Sequence, residues 1–490
     1  MKDLIGIFKL RIVKLLALMA LFVGVGTECF ISKLCVLDPD IWWHLSTGAW
    51  IVQNRAFPHF GIFSRTAASR PWTAYSWGYE VLLAQSYNWF SFIGMATFGA
   101  ALTMAVAIAI FWMLFQVSGR FWVAWGLAIA AYSAFLFSIM PRPVFFTMLL
   151  YAITLMLLLK AQRSGQVQGL YWLPLVFVLW ANLHIQFIYG LFALGLFAGI
   201  NFLQRAAIRW KFHPDWCTAP TLPTARLFAI LGVCFLASCI GPYSFHLYQV
   251  VLNYSASKFT YIMIQELQAL SFGGVSHFLE LLLGAAAFFA LGWAKKSDIF
   301  KLILLVTASI FAFRTARDAW FLCITAAAYI ADFPQAKQER ERLLTWLEGV
   351  GIGLATAVFL VLIARNTQFN PRGLDRAISS EYPVDAVNFL RLHPVGGPLY
   401  NSFDWGGFLI FYMPQYPVAI DGRGDLYGDE LFRQFHFTEA ADPAYANSPY
   451  LIESGVVVLK NASPLTKLLP GDRRFRVIYQ DDHATVFARN

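Results

Sequence analysis

The feature that most limits what this chain can fold into is a series of long apolar segments that continues from near the N-terminus to about residue 365. Each segment approaches the length of about 20 residues that an α-helix needs to cross a hydrocarbon core of about 30 Å. Only 13% of the 490 residues are charged, well below the share of about 25% in soluble domains. Most of the surface must therefore face an apolar medium, and the sequence predicts a polytopic α-helical membrane protein.

Eleven segments are predicted to span the bilayer: 12–32, 92–115, 120–139, 143–160, 170–184, 186–204, 226–241, 276–294, 299–314, 318–333 and 347–364. Beyond about residue 365, charged residues become frequent and apolar runs shrink to strand length, as in VAI (418–420) and SGVVVLK (454–460). A terminal hairpin is predicted from RVIYQDDHATVFAR. We therefore expect a transmembrane domain over residues 1–365 and a small α/β domain over residues 366–490.

The basic residues predict how the chain is oriented. One set of alternating loops is rich in them: Lys2, Lys9, Arg11, Lys14, Arg120, Lys160, Arg163, Arg205, Arg209, Lys211, Arg226, Lys295, Lys296, Lys301, Lys337, Arg340 and Arg342. The positive-inside rule places these loops and the N-terminus in the cytoplasm. An odd number of spans then places the C-terminal domain outside, together with a long first loop, residues 33–91. The net charge is +9, but most Lys and Arg residues lie at the ends of apolar segments and do not form one basic face. Nucleic acid is therefore not expected as a partner.

The first outer loop begins LDPDIWWHLSTGAWIVQN. Asp38 followed by Pro39 fits an N-cap and a proline at the first helical position. In the helix that follows, Asp40 and His44 share one face, and the apolar positions share another: Ile41, Leu45, Ala49 and Val52. We expect residues 39–53 to lie flat on the outer membrane surface with the polar face turned away from the lipid. A second short helix, starting near Ser76, carries a third acid, Glu80.

This arrangement resembles the GT-C superfamily of membrane glycosyltransferases, which includes oligosaccharyltransferase catalytic subunits, protein O-mannosyltransferases and the aminoarabinose transferases of lipid A. In that superfamily a long first outer loop holds two juxtamembrane helices and an acid essential for catalysis. The segments DPDIWWHLSTGAWIV, WANLH (180–184) and WGGFLIF…IDGR (405–423) also look like those of a bacterial branch of related membrane proteins.

The resemblance implies a GT-C-like fold in a bacterial inner membrane. It also implies transfer of a sugar from a polyprenyl-phosphate-linked donor to a glycan, lipid or protein acceptor on the extracytoplasmic face. The D-P-D pattern departs from the adjacent D-E of the mannosyltransferases. The candidates for the catalytic acid are therefore Asp40, then Asp38 and Glu80.

Polar residues at the predicted outer ends of spans complete the candidate site. A planar guanidinium can bind two phosphate oxygens at once, so three arginines are predicted to bind the donor phosphate: Arg142, Arg314 and Arg317. Headgroup contacts or local ion pairs are the alternative for them. Four residues are predicted to line the substrate cleft, with interhelical hydrogen bonding or plain solvation as the alternative for the last three: His44, Asn182, His184 and Glu266. Asp40 and His44, spaced i, i+4, could also share a divalent metal such as Mg²⁺ or Mn²⁺, although spacing identifies no third ligand.

Two other functional classes stay open from the sequence. One is an O-antigen-type polysaccharide polymerase or ligase, or a lipid-linked-sugar transporter; the other is a non-catalytic membrane scaffold. Polymerases of that type tend to carry a large Arg-rich loop late in the chain, whereas here the large acidic loop comes first. No GxGxxG, Walker A or HExxH motif is present, which argues against a nucleotide-driven reaction and against standard hydrolases.

Near the C-terminus, four charged residues lie at predicted strand ends and are interpreted as turn formers rather than ligand-binding groups: Asp404, Asp421, Arg423 and Asp425.

Overall fold

The structure is a computed structural model, and it describes residues 2–136, 142–212, 214–256, 259–333, 345–367 and 369–490. The end of the third predicted span (137–139) and the predicted cytoplasmic Lys337, Arg340 and Arg342 lie outside the described residues. The chain packs into two compact units. Unit 1 comprises Met1–Ile31, Gly99–Ser244 and Gln265–Thr367, and unit 2 comprises Ser32–Phe98, Phe245–Ile264 and Gln368–Asn490.

Helices dominate the described residues. In chain order they are α1 (Lys2–Ile31), α2 (Leu34–Leu37), α3 (Pro39–Asn54), α4 (Trp77–Ser118), α5 (Phe121–Leu136), α6 (Val144–Ser164), α7 (Leu173–Leu183), α8 (Phe187–Arg209), α9 (Thr224–Ser238), α10 (His246–Ala256), α11 (Phe259–Met263), α12 (Val275–Trp293), α13 (Ile299–Arg314), α14 (Ala319–Ala331), α15 (Trp346–Asn366), α16 (Pro371–Glu381), α17 (Val384–Leu392), α18 (Gly406–Tyr412), α19 (Gly424–Glu439), α20 (Pro449–Ile452) and α21 (Pro464–Leu468). Phe90 and Ser91 have non-helical backbone angles, so α4 consists of two segments that meet there.

Six helical segments within the described residues are long and apolar enough to cross a membrane: Arg11–Leu37, Trp77–Ser118, Val144–Ser164, Phe187–Arg209, Val275–Trp293 and Trp346–Asn366. Every predicted span falls on a helix. However, α5, α7, α9, α13 and α14 have only 11 to 16 residues, fewer than the about 20 that a crossing usually needs. The number of eleven spans therefore stays a prediction.

Helix α14 is the centre of unit 1. Twelve of its 13 residues are buried, and it packs against α5, α6, α12 and α13. A helix that is apolar on all sides belongs in an interior, and the alanines at 326–328 let neighbouring helices approach closely. This packing fixes the turn at the N-terminus of α14, residues 315–318, which contributes to the candidate site.

Unit 2 contains a four-stranded sheet in the order β1-β2-β4-β3, built from β1 (Leu399–Asn401), β2 (Val456–Lys460), β3 (Phe475–Gln480) and β4 (Ala484–Arg489). β1 and β2 are parallel, and the other two pairings are antiparallel. β2 and the β3–β4 hairpin coincide with predicted strands. The strand predicted at 418–420 does not form and makes only a single bridge between Ser64 and Val418. The Asn401 side chain instead accepts the N–H of Ala419 and donates to the carbonyl of Ile420. These two backbone groups therefore bond to a side chain and not to a neighbouring strand.

The environment of α3 differs from the prediction that it lies flat on the lipid. Ile41 and Leu45 are 4% and 1% exposed, because α18 packs against α3. Gly407 permits this approach, since a β-carbon there would lie 2.5 Å from the carbonyl oxygen of Pro39. Protein therefore covers Ile41 and Leu45, whereas Ala49 and Val52, further along the same face, stay exposed.

Candidate functional site

The two aspartates at the start of α3 have different environments. Asp38 is 2% exposed, and its carboxylate accepts the backbone N–H of Asp40 at 3.0 Å. It is therefore the N-cap that the sequence predicts. Asp40 is partly exposed, and its Oδ1 accepts the indole N–H of Trp43 at 3.1 Å. One acid thus holds the helix start, and the other keeps a carboxylate accessible.

His44 and Glu80 form a buried pair one turn further along α3. His44 Nδ1 lies 3.0 Å from Glu80 Oε1, and the two residues are 4% and 1% exposed. Gly48 brings the helices together, since a β-carbon there would lie 1.9 Å from the carbonyl oxygen of Glu80. This hydrogen bond joins the ring of His44, on α3, to Glu80 at the start of α4.

The segment IDGRGD (420–425) reaches α3 within unit 2. Gly422 packs directly on Asp40, because a β-carbon at this glycine would lie 1.9 Å from Asp40 Oδ1 and 3.2 Å from Trp43 Nε1. Arg423 Nε and Nη2 donate to the carboxylate of Asp421 at 2.8 and 2.7 Å, and both side chains are fully buried. This bidentate ion pair fixes the backbone on either side of Gly422.

Further contacts hold Arg423 and its loop in place. The guanidinium lies 4.6 Å from the ring centroid of Trp72, and the Tyr427 hydroxyl donates to Asp421 at 2.7 Å. Burial alone would lower the pKa of Arg423, but Asp421 raises it, so the group stays charged. Burial raises the pKa of Asp425 to about 6, although Arg423 acts in the opposite direction. Burial raises the pKa of Glu80 well above its usual value, and Arg423 acts in the opposite direction.

In unit 1, Glu266 joins two of the arginines predicted to bind phosphate. Arg142 Nη1 lies 3.1 and 3.3 Å from the two oxygens of Glu266, and Arg317 Nη2 donates to the same carboxylate. The three side chains are 17 to 30% exposed. Burial would raise the pKa of Glu266, but Arg317 and Arg142 outweigh burial and lower it. Glu266 is therefore an ionised partner of two cations rather than a solvated loop acid.

The turn that carries Arg317 is tied to the segment after Glu266. The backbone N–H of Ala316 donates to the carbonyl of Gln268 at 2.9 Å. In the same turn, the Thr315 hydroxyl donates to Asp318 at 2.7 Å. These bonds hold Glu266 and the arginine-bearing turn in one rigid arrangement.

Asn182 and His184 make interhelical contacts. The Asn182 amide donates to the carbonyls of Val178 and Ile240, both at 2.7 Å. Thr147 Oγ1 accepts the indole N–H of Trp180 at 2.8 Å and lies 2.9 Å from His184 Nδ1. The contacts with Ile240 and Thr147 join the end of α7 to neighbouring segments of the chain.

The structure thus groups the predicted residues into two sets. Asp38, Asp40, His44 and Glu80 lie in unit 2, and Arg142, Arg314, Arg317, Glu266, Asn182 and His184 lie in unit 1. The buried Asp421–Arg423 pair was interpreted from sequence as turn chemistry. Among the described residues, no group of three or more His, Cys, Asp or Glu side chains is placed to hold a metal ion. In the part of the chain that the structure describes, a metal at Asp40 and His44 would thus have no third His, Cys, Asp or Glu ligand.

No protein-family model and no curated protein matches this sequence significantly. Solved structures match over most of the chain. ArnT from Cupriavidus metallidurans bound to undecaprenyl phosphate is 12% identical, with a TM-score of 0.46, and the match covers 96% of this chain and 97% of that chain. The apo form of the same protein is 14% identical over the same shares, with a TM-score of 0.44. The apo oligosaccharyltransferase from Archaeoglobus fulgidus is 11% identical, with a TM-score of 0.47, and the match covers 91% of this chain and 69% of that chain.

These neighbours are members of the GT-C superfamily, the superfamily that the sequence resembles. The likeness is distant in both sequence and TM-score. The reaction of this chain must therefore be inferred from its own residues.

Proposed function

We propose that this chain is a GT-C-type membrane glycosyltransferase of a bacterial inner membrane. In this proposal it moves a sugar from a polyprenyl-phosphate-linked donor to an acceptor on the extracytoplasmic face. The observation that carries the proposal is the acid site of unit 2, where a partly exposed Asp40 precedes a buried His44–Glu80 pair. A carboxylate positioned in this way suits deprotonation of an acceptor hydroxyl.

Asp40 is the proposed general base. As the acceptor oxygen attacks the anomeric carbon, its proton passes to the Asp40 carboxylate, and the bond from that carbon to the phosphate oxygen breaks. The Trp43 indole N–H donates to one oxygen of this carboxylate and so orients the group. Glu80 is too buried to touch a substrate, so it and His44 are proposed to position the site rather than to react.

Arg142 and Arg317 are the proposed donor-phosphate ligands, together with Arg314, the last residue of α13. Two guanidinium groups that meet at one carboxylate lie close enough together to meet at one phosphate, and their charge offsets the charge that builds on the leaving group. A divalent metal at Asp40 and His44 would take its remaining ligands from substrate and water. No step proposed here passes through such a metal.

The proposed topology has eleven spans, a cytoplasmic N-terminus and an extracytoplasmic domain over residues 366–490. Cysteines introduced at positions 2 and 440 should react with a membrane-impermeant maleimide from opposite sides of sealed vesicles, because an odd number of spans separates them. Mass spectrometry of the labelled peptides measures this. Labelling of both positions from the same side would contradict the topology.

Transfer should be measured with membranes that contain the chain, a panel of radiolabelled polyprenyl-phosphate sugars and membrane extract as acceptor. We expect label from one donor to enter product.

The double variant Arg142→Gln, Arg317→Gln should raise the donor concentration for half-maximal transfer by about tenfold or more, because charged hydrogen bonds to the phosphate are lost. The dependence of the rate on acceptor concentration should not change. Arg163→Gln is the matched control, since this arginine is 55% exposed and pairs with Asp332. Label that crosses the membrane without entering product would indicate a transporter, and no transfer from any donor would reject the proposal.

A further inference from the structure

Helix α12 carries one acidic residue and neither Lys nor Arg, and that acid, Glu280, lies in the interior of unit 1. None of its surface is exposed: the fraction is 0%. Neither of its carboxyl oxygens has a hydrogen-bond partner within the part of the chain that the structure describes. The proposed transfer reaction makes no use of Glu280. A buried acid with two unsatisfied oxygens therefore needs an explanation of its own.

The neighbouring helices offer Glu280 no cation. α12 packs mainly against α5, α13 and α14. α5 has no charged residue, and its titratable side chain, Tyr132, interacts with Cys29 on α1. The charged residues of α13 are Lys301 and Arg314, and neither makes a hydrogen bond to Glu280. A negative charge on Glu280 would therefore find no counter-ion on these two helices.

Two titratable groups lie near this carboxyl. On α14 the thiol of Cys323 is fully buried and close enough to interact electrostatically with Glu280, whereas Tyr329 interacts with Tyr151. On α12 itself, His277 lies three residues before Glu280 and so on the same side of the helix. Its Nδ1 is buried and has no hydrogen-bond partner among the described residues. None of these groups bonds to either oxygen of Glu280.

The contact between α12 and α14 is close on this side of α12. Gly284 lies one turn beyond Glu280, and a β-carbon there would be 3.5 Å from the Leu322 side chain of α14. Twelve of the 13 residues of α14 are buried. A carboxyl that gained a charge here would have to draw water into the contact or separate the helices, because protein interiors are densely packed.

The charged form of such an acid is strongly unfavourable, since an ionised carboxyl without a partner loses its hydration and gains nothing in return. Ionisable residues within membrane helices face the bundle interior and often bind protons. We propose that Glu280 is a proton-binding site inside unit 1, and that release of its proton loosens the contact between α12 and α14. This site is independent of the proposed transfer reaction, because protonation and stability can be measured without any donor or acceptor.

Infrared spectroscopy detects the proton directly, because an uncharged carboxyl and a carboxylate absorb at different frequencies. The purified full-length chain in detergent is held on the infrared crystal and perfused with buffers of rising pH. At neutral pH the wild type should show a carboxylic-acid band that is larger than that of Glu280→Gln by the absorption of one carboxyl. This extra absorption should disappear at alkaline pH. Equal bands in the two proteins at neutral pH would overturn the proton site.

Thermal unfolding measures the consequence for the helix contact. Because folded unit 1 holds a proton at Glu280, raising the pH from neutral to alkaline should weaken its folding. The unfolding temperature of the wild type should fall relative to that of Glu280→Gln by about 5 °C or more, since Gln has no proton to release. If the difference between the two proteins stayed constant with pH, the proton would not control the contact between α12 and α14.

Glu348→Gln is the matched control, because it removes an acid of the same unit that pairs with Arg11. An ion-paired carboxylate is charged at both neutral and alkaline pH, so the unfolding temperature of this variant should differ from the wild type by the same amount at both. Glu280→Met takes the place of Glu280→Gln in both measurements if the latter does not fold, since Met fills irregular spaces and adds no group that must be hydrogen-bonded. A wild type without any carboxylic-acid band at neutral pH would overturn the proposal with no variant at all.

Discussion

Asp40→Asn is expected to lower turnover by about 10²- to 10⁴-fold, the range that a positioned general base typically contributes. Asn has nearly the same shape and can still accept the Trp43 indole N–H that Asp40 accepts at 3.1 Å. It cannot take a proton from the acceptor hydroxyl. Expression and donor affinity should therefore stay near wild type, and initial rates across a donor titration would separate the two effects.

Asp38→Asn is the control for this prediction. Asn caps helices as well as Asp, and Asp38 is committed to the backbone N–H of Asp40, so this variant should keep most of its activity. Near-normal turnover in Asp40→Asn together with loss of turnover in Glu80→Gln would show that the assignment is wrong. The acid on α4 would then carry the chemistry, and its burial would have to be relieved when substrate binds.

The parts of this fold that could be predicted from sequence are those set by local signals. Asp38 and Pro39 predict the start of α3, and long apolar runs predict the helices of unit 1. Both predictions succeed because each signal consists of residues close together in the chain. The cover over Ile41 and Leu45 could not be predicted in this way. An apolar helix face suits lipid and protein equally well, and the residues of α18 that occupy it lie far away in sequence.

The same limit applies to the candidate site. Arg142, Arg317 and Glu266 were each singled out, but their meeting at one carboxylate depends on tertiary packing. For Asp421 and Arg423 the sequence predicts a turn, because D-G pairs form turns, and it gives no indication that both side chains are buried. A usable signal was present: an acid and a base two residues apart directly after the apolar VAI. A charged pair that follows a buried segment so closely is expected to be satisfied internally.

Gly422→Ala is expected to lower turnover by about 100-fold, since a misplacement of about 1 Å in a catalytic group can cost that much. The new β-carbon would lie 1.9 Å from Asp40 Oδ1, against an ordinary contact distance of 3.4–4 Å. Something must therefore move by more than 1 Å. The Asp421–Arg423 ion pair anchors the loop, and α18 packs against α3, so the Asp40 side chain is the part most able to shift. Turnover should fall while the donor concentration for half-maximal transfer stays unchanged, because the arginines of unit 1 are untouched.

Gly471→Ala provides the matched control, because it adds the same methyl group to unit 2 where no atom lies within 4 Å of the new β-carbon. Both variants should unfold at similar temperatures in detergent, and only Gly422→Ala should be slow. A general loss of stability would lower the unfolding temperature along with the rate, whereas displacement of one carboxylate lowers the rate alone. If Gly422→Ala kept the turnover of Gly471→Ala, the position of Asp40 against the IDGRGD segment would be irrelevant to transfer. That segment would then have a purely structural role. The assignment of Asp40 as the general base would lose its support, because it depends on the position of this carboxylate.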